Sequence, residues 1–223
     1  MSNFTDILRS GVNILFPDIC PVCEYRTTDN FLPICSSCMR SIRSGSIPVP
    51  ASSEFVTDIR VCRAYNGNLK KCIQQLKYRG KRRMTRVFIE LIREHFSEDL
   101  IASYPVDLII PVPVSTERYR LRGFNQSCLI AKTLPLPLLQ FIYCGNLIRM
   151  RNTPPQTGLS KSERMQNLKG AFAIKCPSGV DGKKILLVDD VVTTGATLDT
   201  CAKELLSAGA YEVHGFAVAK TLR

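Results

Sequence analysis

Tryptophan is absent from this chain, and histidine occurs only twice. Aromatic residues make up 8% of it, so a surface built for base stacking is not the first reading. Acidic residues are also scarce: 19 Asp and Glu stand against 30 Lys and Arg, a net charge of +11. Such a balance speaks of partners rather than of fold, and it favours phosphates, polynucleotides or anionic surfaces. No apolar run approaches the ~18–20 residues of a membrane helix. The longest, Leu108–Val114, Leu134–Ile142 and Ile185–Val188, are short or broken by proline. Met1–Phe16 carries Asp6 and Arg9 and lacks a basic start, so it does not read as an export signal. The expected location is therefore the cytoplasm, with no membrane span. There, ten cysteines point to metal before disulfides.

What is present suits a globular protein: 223 residues, 45% hydrophobic and 22% charged. That is enough for one α/β domain and a small module. Residues 3–16 have the spacing of a short amphipathic helix. Residues 44–55, rich in Ser, Gly and Pro, read as linker. Strands are expected at Arg60–Tyr65, Val106–Val112, Lys184–Val188 and Glu212–Ala219. Helices are expected at Gly67–Tyr78, from Arg82 to Phe96, and at Gly123–Leu134 and Thr194–Ala208. Gly145–Lys169 is polar and irregular, and loops of that length are usually functional. Strands alternating with helices indicate a parallel sheet flanked by helices. The expected organisation is a helix and cysteine module over 1–48, a linker over 49–58, and an α/β domain over 59–223.

Cys20-Pro-Val-Cys23 and Cys35-Ser-Ser-Cys38 are two C-x2-C pairs separated by eleven residues. Two intervening residues let both thiolates of a pair reach one ion, and two pairs complete a tetrahedral S4 shell suited to Zn2+. With all four positions filled by sulfur, the role is structural. The remaining six cysteines are isolated, mostly within apolar patterns, and read as core residues.

Ile185-Leu-Leu-Val-Asp-Asp-Val-Val-Thr-Thr-Gly-Ala-Thr197 carries the most chemistry. An apolar strand ends at Val188, two carboxylates follow, then a hydroxyl-rich turn and a helix. Backbone N–H groups and the dipole at a helix start favour an anion. Gly195 lets the backbone approach a ligand closely. Asp189 and Asp190 could accept hydrogen bonds from a ribose diol. Helix capping alone explains one polar residue, not two adjacent acids and three threonines.

A second basic segment follows the strand near Val112. Arg118, Arg120 and Arg122 alternate, so an extended chain would put all three guanidiniums on one side as a pyrophosphate clamp. Residues 60–93 hold eleven Lys and Arg against Glu90 alone. A solvated helical face explains many charge runs. The one-sidedness here favours a polynucleotide backbone, with Lys77, Arg79, Lys81, Arg82, Arg83 and Arg86 as the contacts. Single strands fit better than duplex, because no groove-reading motif is evident. His95 and His214 read as surface or packing residues.

The 185–197 segment resembles the diphosphoribose-binding motif of type I phosphoribosyltransferases. The whole pattern, comprising the four-cysteine module, P-V-P…R-x-R-x-R-G-F-N-Q, R-x-x-x-T-P-x-Q-T and V-D-D-V-x-T-T-G-A-T, resembles the ComF family of bacterial competence proteins. The likeness runs from about Asn13 to Lys220. It implies a phosphoribosyltransferase fold and phosphoribosyl pyrophosphate as ligand, with accompanying Mg2+. It implies that Asp189 and Asp190 hold the ribose hydroxyls, and that Thr193, Thr194, Gly195, Ala196 and Thr197, entered from Val192, bind the 5′-phosphate. It makes 149–164 a mobile loop beside the site, with Lys161 and Arg164 touching the pyrophosphate and Arg149 also in reach. Transferases for 6-oxopurines carry Asp where this chain has Thr193, so purine salvage is disfavoured. Three functions stay open: a competence factor handling imported single-stranded DNA beside helicase or recombination proteins, an active phosphoribosyltransferase, and a ligand sensor.

Overall fold

The computed structural model describes residues 19–27, 31–48, 53–95, 106–135, 141–151 and 161–222. Four strands, β1 (Ile59–Ala64), β2 (Leu108–Pro111), β5 (Lys184–Val192) and β6 (Glu212–Lys220), form one sheet in the order β1-β6-β5-β2. All three neighbouring pairs are parallel. A separate antiparallel pair joins β3 (Leu147–Arg149) to β4 (Phe172–Ile174).

The sheet is parallel because its apolar runs demand burial on both faces. Successive side chains of β5 go to opposite sides. Ile185 and Leu187 pack with Leu198, Cys201 and Leu205 of α7 (Ala196–Ser207). Leu186 and Val188 pack on the face covered by α2 (Gly67–Arg79) and α3 (Thr85–His95), with Phe88 and Phe216 at its centre. Each fully buried Leu, Ile or Phe of this kind contributes roughly 1.5–3 kcal/mol of transfer free energy.

The cysteine segment adds to this second core. Its short helix α1 (Ser36–Arg43) begins at Cys35, and Ile34, Met39 and Ile42 are buried in the same cluster as Leu76 and Phe88. Polar groups of α2 hold the segment as well. Lys71 Nζ donates to the Val22 carbonyl at 3.0 Å, and Gln75 Nε2 to the Pro21 carbonyl at 3.2 Å. Arg43 reaches Glu90 and Glu94 on α3. Within the expected linker, Asp199 of α7 accepts from the Ser53 hydroxyl and from the backbone N–H groups of Glu54 and Phe55.

Several elements differ from the sequence reading. β5 does not stop at Val188. It continues to Val192, because β6 keeps pairing with it: Asp189 with Ala217, Val191 with Ala219. The three arginines at 118, 120 and 122 are not extended. They sit on α4 (Thr116–Arg122), where the Ser115 hydroxyl accepts from the Arg118 N–H and Glu117 suits the first turn. Gly123, at φ 73°, ends that helix. The helix expected from Gly123 begins only at Gln126, capped by Asn125, as α5 (Gln126–Ala131). A 3-10 turn, Arg82–Met84, precedes α3. Gly145–Lys169 is not irregular throughout: it contains β3 and α6 (Lys161–Leu168). The helix expected at 3–16 and loop residues 152–160 lie outside the described residues.

Candidate functional site

The C-terminal end of β5 carries Asp189 and Asp190 side by side, both largely buried. Asp189 is held from α5: the Ser127 hydroxyl donates to Oδ1 at 3.0 Å, and the Asp190 N–H adds a bond at 2.8 Å to the same oxygen. Asp190 is paired from α2, with Lys77 Nζ 2.6 Å from Oδ2. Burial, then the charge of Asp190, pushes the Asp189 carboxyl up to about 7. Burial opposes charge on Lys77, but the Asp190 carboxylate outweighs it and holds the ammonium above its usual range. Above about pH 7 two buried carboxylates meet one cation, and the strand end carries net negative charge.

β5 gives way to α7 through Thr193, Thr194 and Gly195. Gly195 adopts φ 84°, a conformation that disfavours a side chain, and caps α7 with a bare backbone. The Thr194 hydroxyl accepts from the Ala196 N–H at 3.4 Å. Thr194, Gly195 and Ala196 are buried, and Thr193 and Thr197 partly exposed. The first N–H groups of a three-turn helix point at this turn, a geometry suited to a phosphate.

Two arginines lie within electrostatic reach of the acid pair, Arg149 of Asp189 and Arg122 of Asp190. Arg149 ends β3, with its guanidinium 5.4 Å from the Phe172 ring centre. Burial and then the charge of Arg118 lower its basicity, and the Asp189 carboxylate partly restores it. Arg122 lies 5.5 Å over Tyr78 and donates to Gln126 Oε1 at 2.9 Å. Burial lowers its basicity first, and Arg118 contributes again. Arg118 is thus electrostatically close to both Arg149 and Arg122; Arg118 and Arg120 are both exposed on this helix. Lys161 and Arg164 belong to α6, which packs against α7; their side chains lie outside the described residues. A cleft of about 620 Å³ opens between Pro113, Tyr119 and Asn125 on one side and Leu147 and Arg149 on the other. Arg149, which feels the Asp189 charge, lines it, but residues 189–197 do not.

The cysteine cluster fits a zinc ion. All four sulfurs lie within 4.8 Å of one another. Cys20 and Cys38 are 3.9 Å apart, and Cys23 and Cys35 are 3.6 Å apart. A tetrahedron with Zn–S of ~2.3 Å has edges of ~3.8 Å. The Glu24 N–H closes a turn onto the Cys20 carbonyl at 2.8 Å, with Glu24 at φ 65°, and the Cys35 N–H points at Cys20 Sγ at 3.4 Å. Burial alone would raise the Cys20 thiol, but the N–H groups of Cys35, Cys23 and Val22 bring it down to about 7. Such N–H to sulfur bonds stabilise thiolate, the form that binds metal.

The basic stripe divides in two. Lys77 faces Asp190 and leaves the exposed set. Arg79, Lys81, Arg82 and Arg83 remain exposed. Arg82 stacks 4.9 Å from the Phe124 ring centre and donates to the Gly123 carbonyl, and Arg86 lies 5.8 Å from the Phe31 ring centre. A second cleft of about 470 Å³ runs between Gly80–Met84 and the cysteine segment at Pro21, Leu32 and Pro33. Tyr25, Phe31 and Tyr78 are exposed nearby in sequence to its walls, at 76%, 61% and 72%. His95 packs on Phe216, and His214 bonds Asp58 and Glu212, so both histidines are accounted for within the fold.

Sequence reasoning missed Ser127 and the site role of Lys77. The regular patterns around them were helical, and nothing local marked their partners. Among the described residues no helix is long and apolar enough to cross a membrane.

The phosphoribosyl transferase domain family matches residues 150–221. DNA utilization protein YhgH of Escherichia coli (strain K12) is 32% identical over 211 residues, covering 92% of this chain and 85% of that protein. Competence protein ComFC of Bacillus subtilis (strain 168) is 30% identical over 205 residues, covering 90% of this chain and 77% of that one. Competence protein F of Haemophilus influenzae is 36% identical over 116 residues, half of each chain (51% and 50%).

Proposed function

Since the chain belongs to the ComF family of competence and DNA-utilization proteins and carries a phosphoribosyltransferase-type domain, we propose that it binds phosphoribosyl pyrophosphate and handles imported single-stranded DNA in the cytoplasm during natural transformation. One observation carries the ligand half: two buried acids end β5, directly before a glycine turn that opens α7. The acids take the ribose 2′- and 3′-hydroxyls as hydrogen-bond acceptors. The N–H groups of Thr193–Thr197 and the threonine hydroxyls take the 5′-phosphate. Val192 sets the chain direction into that turn. Arg118, Arg122 and Arg149 balance the pyrophosphate, and Arg120 joins them from the exposed face of α4. The family resemblance adds Lys161 and Arg164 of α6 as candidates for the same group. Mg2+ accompanies the pyrophosphate as its counter-ion. Zn2+ on Cys20, Cys23, Cys35 and Cys38 supplies folding free energy to the module over residues 1–48, which 49–58 joins to the transferase-type domain over 59–223.

The DNA half rests on Lys81, Arg82 and Arg83, which line the second cleft, with Arg79 and Arg86 flanking them in sequence. Cations there track a phosphate backbone, and Tyr25, Phe31 and Tyr78 offer faces for unstacked bases. A helicase or recombination protein would take up the strand it holds. A transferase activity on a nucleobase or amine is the second reading, favoured by the 620 Å³ cleft beside Arg149, a size that suits a small-molecule acceptor.

Calorimetric titration of the zinc-loaded protein with phosphoribosyl pyrophosphate and Mg2+, with and without oligothymidylate, tests both halves. Saturable binding of each supports the proposal, and an affinity shifted by the second ligand shows that the sites are coupled. Absence of binding to the sugar phosphate overturns the ligand assignment. Binding of the sugar phosphate alone, with product formed from a nucleobase, selects the transferase.

A further inference from the structure

Cys128 and Cys144 stand outside both assigned sites. Cys128 lies on α5, immediately after the Ser127 that holds Asp189, and Cys144 lies in the turn before β3. Their sulfurs are 2.8 Å apart, and both residues line the 620 Å³ cleft. Cys144 is exposed and Cys128 half-buried, so a small reagent reaches the pair. The other cysteines differ. Cys62, Cys72 and Cys201 are buried, and burial pushes the thiols of Cys62 and Cys72 up to about 12. Cys176 is exposed, and its near contact is the Ser178 hydroxyl at 3.3 Å.

We propose that Cys128 and Cys144 form a reversible disulfide in the lining of the cleft, made by exchange with a low-molecular-weight disulfide of the oxidised-glutathione class. The sulfurs need to close by less than ~1 Å to reach the ~2.05 Å bond. Cys128 loses its proton to solvent and its thiolate attacks one sulfur of the reagent. The reagent's S–S bond breaks and one glutathione thiolate departs. Cys144 passes its proton to that departing thiolate, attacks the Cys128 sulfur and expels the second glutathione. The two protein thiols are oxidised and the reagent is reduced to two glutathione molecules. The hydrogen bond from Cys144, aided by the Lys132 charge, brings the Cys128 thiol down to about 7 against burial, which makes it the attacking partner near neutral pH. Cys144 is shifted the other way by the same hydrogen bond. The new bond ties α5 to the turn that leads into β3, beside the cleft. It does not depend on which ligand the phosphate turn binds.

The test exposes the zinc-loaded, full-length protein to graded ratios of oxidised and reduced glutathione, followed by alkylation, digestion and peptide mass mapping. The expected result is a cross-linked Cys128–Cys144 peptide that dithiothreitol reverses, while Cys176 stops at a mixed disulfide with glutathione. Zinc content is followed in parallel, so oxidation of the four-cysteine cluster is told apart from this reaction. In Cys144→Ser, Cys128 should stop at the mixed disulfide. In Cys128→Ser, Cys144 should react at least ~10-fold more slowly, as its attacking partner is gone. If Cys176 is modified while Cys128 and Cys144 both remain open to alkylation, or if both take glutathione without cross-linking, the proposal fails.

Discussion

Lys77 Nζ lies 2.6 Å from Asp190 Oδ2, so the last turn of α2 supplies the counter-charge for an acid at the end of β5. The side chains are 18% and 4% exposed, which removes most solvent screening. By sequence Lys77 is one of a row of cations. In the fold it faces away from that row, because the helical turn places it on the flank of α2 nearest β5. The helix that docks the cysteine segment through Lys71 and Gln75 therefore also sets the charge of the candidate sugar site.

Replacing Lys77 by methionine should cost about 3 kcal/mol at pH 8, because it leaves buried carboxylate without a partner. The cost should shrink toward pH 5, since Asp189, whose carboxyl lies near 7, is then protonated and no longer adds its charge beside Asp190. Lys77 itself stays charged throughout that range, its ionisation lying above 10.5. Urea denaturation of the wild type, Lys77→Met and Lys77→Met/Asp190→Asn at both pH values measures this. Recovery of at least half the loss in the double variant is the expected outcome; no loss at pH 8 would show that the pair contributes nothing.

Asp189 gives a pH dependence of opposite use. Its folded ionisation lies near 7, above the reference value of 3.8, so between those values the folded state binds more protons than the unfolded one. Stability from this group therefore falls as pH rises through that window and levels off above ~7. Asp189→Asn should remove the slope, leave the melting temperature unchanged near pH 4 and raise it at pH 8. The same variant should lose phosphoribosyl pyrophosphate binding. A strand end that trades stability for a ligand predicts both results together.

The central strand and the four-cysteine cluster were legible because their signals are local. Ile185–Val188 is an unbroken apolar run, and each C-x2-C pair sits in one turn. Ser127 and Lys77 were not legible as site residues, because only the sheet and its covering helices bring them to β5. Where β5 ends was also not a local property. Its last residues stay in the ladder only while β6 has partners to offer as far as Lys220. The arginines of 116–122 were misread for a different reason. Alternation suggested an extended chain, while the competing helix signals, Ser115 as cap, Glu117 in the first turn and Gly123 at the end, were already in the sequence.

Zinc removal should act beyond the cysteine segment. The sulfur cluster, Ile34 and Met39 share one core with α2, and two α2 side chains bond the Pro21 and Val22 carbonyls. Cys38→Ser should release the metal, measured as zinc per chain with a colorimetric chelator. Amide exchange should then rise not only in residues 19–45 but also in Gly67–Arg79, by at least ~10-fold, as α2 loses contacts on that side. Exchange confined to the cysteine segment would show that α2 holds its place without it. Metal-free wild type of unchanged melting temperature would reject a structural role for zinc.

The exposed cations and the exposed rings near the second cleft make separable predictions for single-stranded DNA. Each phosphate contact on a single strand contributes a slope of about 0.7 to log K against log salt. Neutralising Lys81, Arg82 and Arg83 to glutamine should therefore weaken binding and flatten that slope by about 2. Arg82 also stacks on Phe124, so a melting curve must confirm that the triple variant stays folded. Tyr25→Ala or Phe31→Ala removes a ring without removing charge. Affinity should fall by about 1–3 kcal/mol for a ring that carries a base, while the salt slope stays the same. The two variants thus move different quantities, and filter binding of labelled oligothymidylate across a salt series reads both. If the glutamine variant changes neither affinity nor slope, the strand does not run along this cleft. If it changes the slope while neither ring variant changes affinity, the surface holds the backbone alone and leaves the bases to solvent.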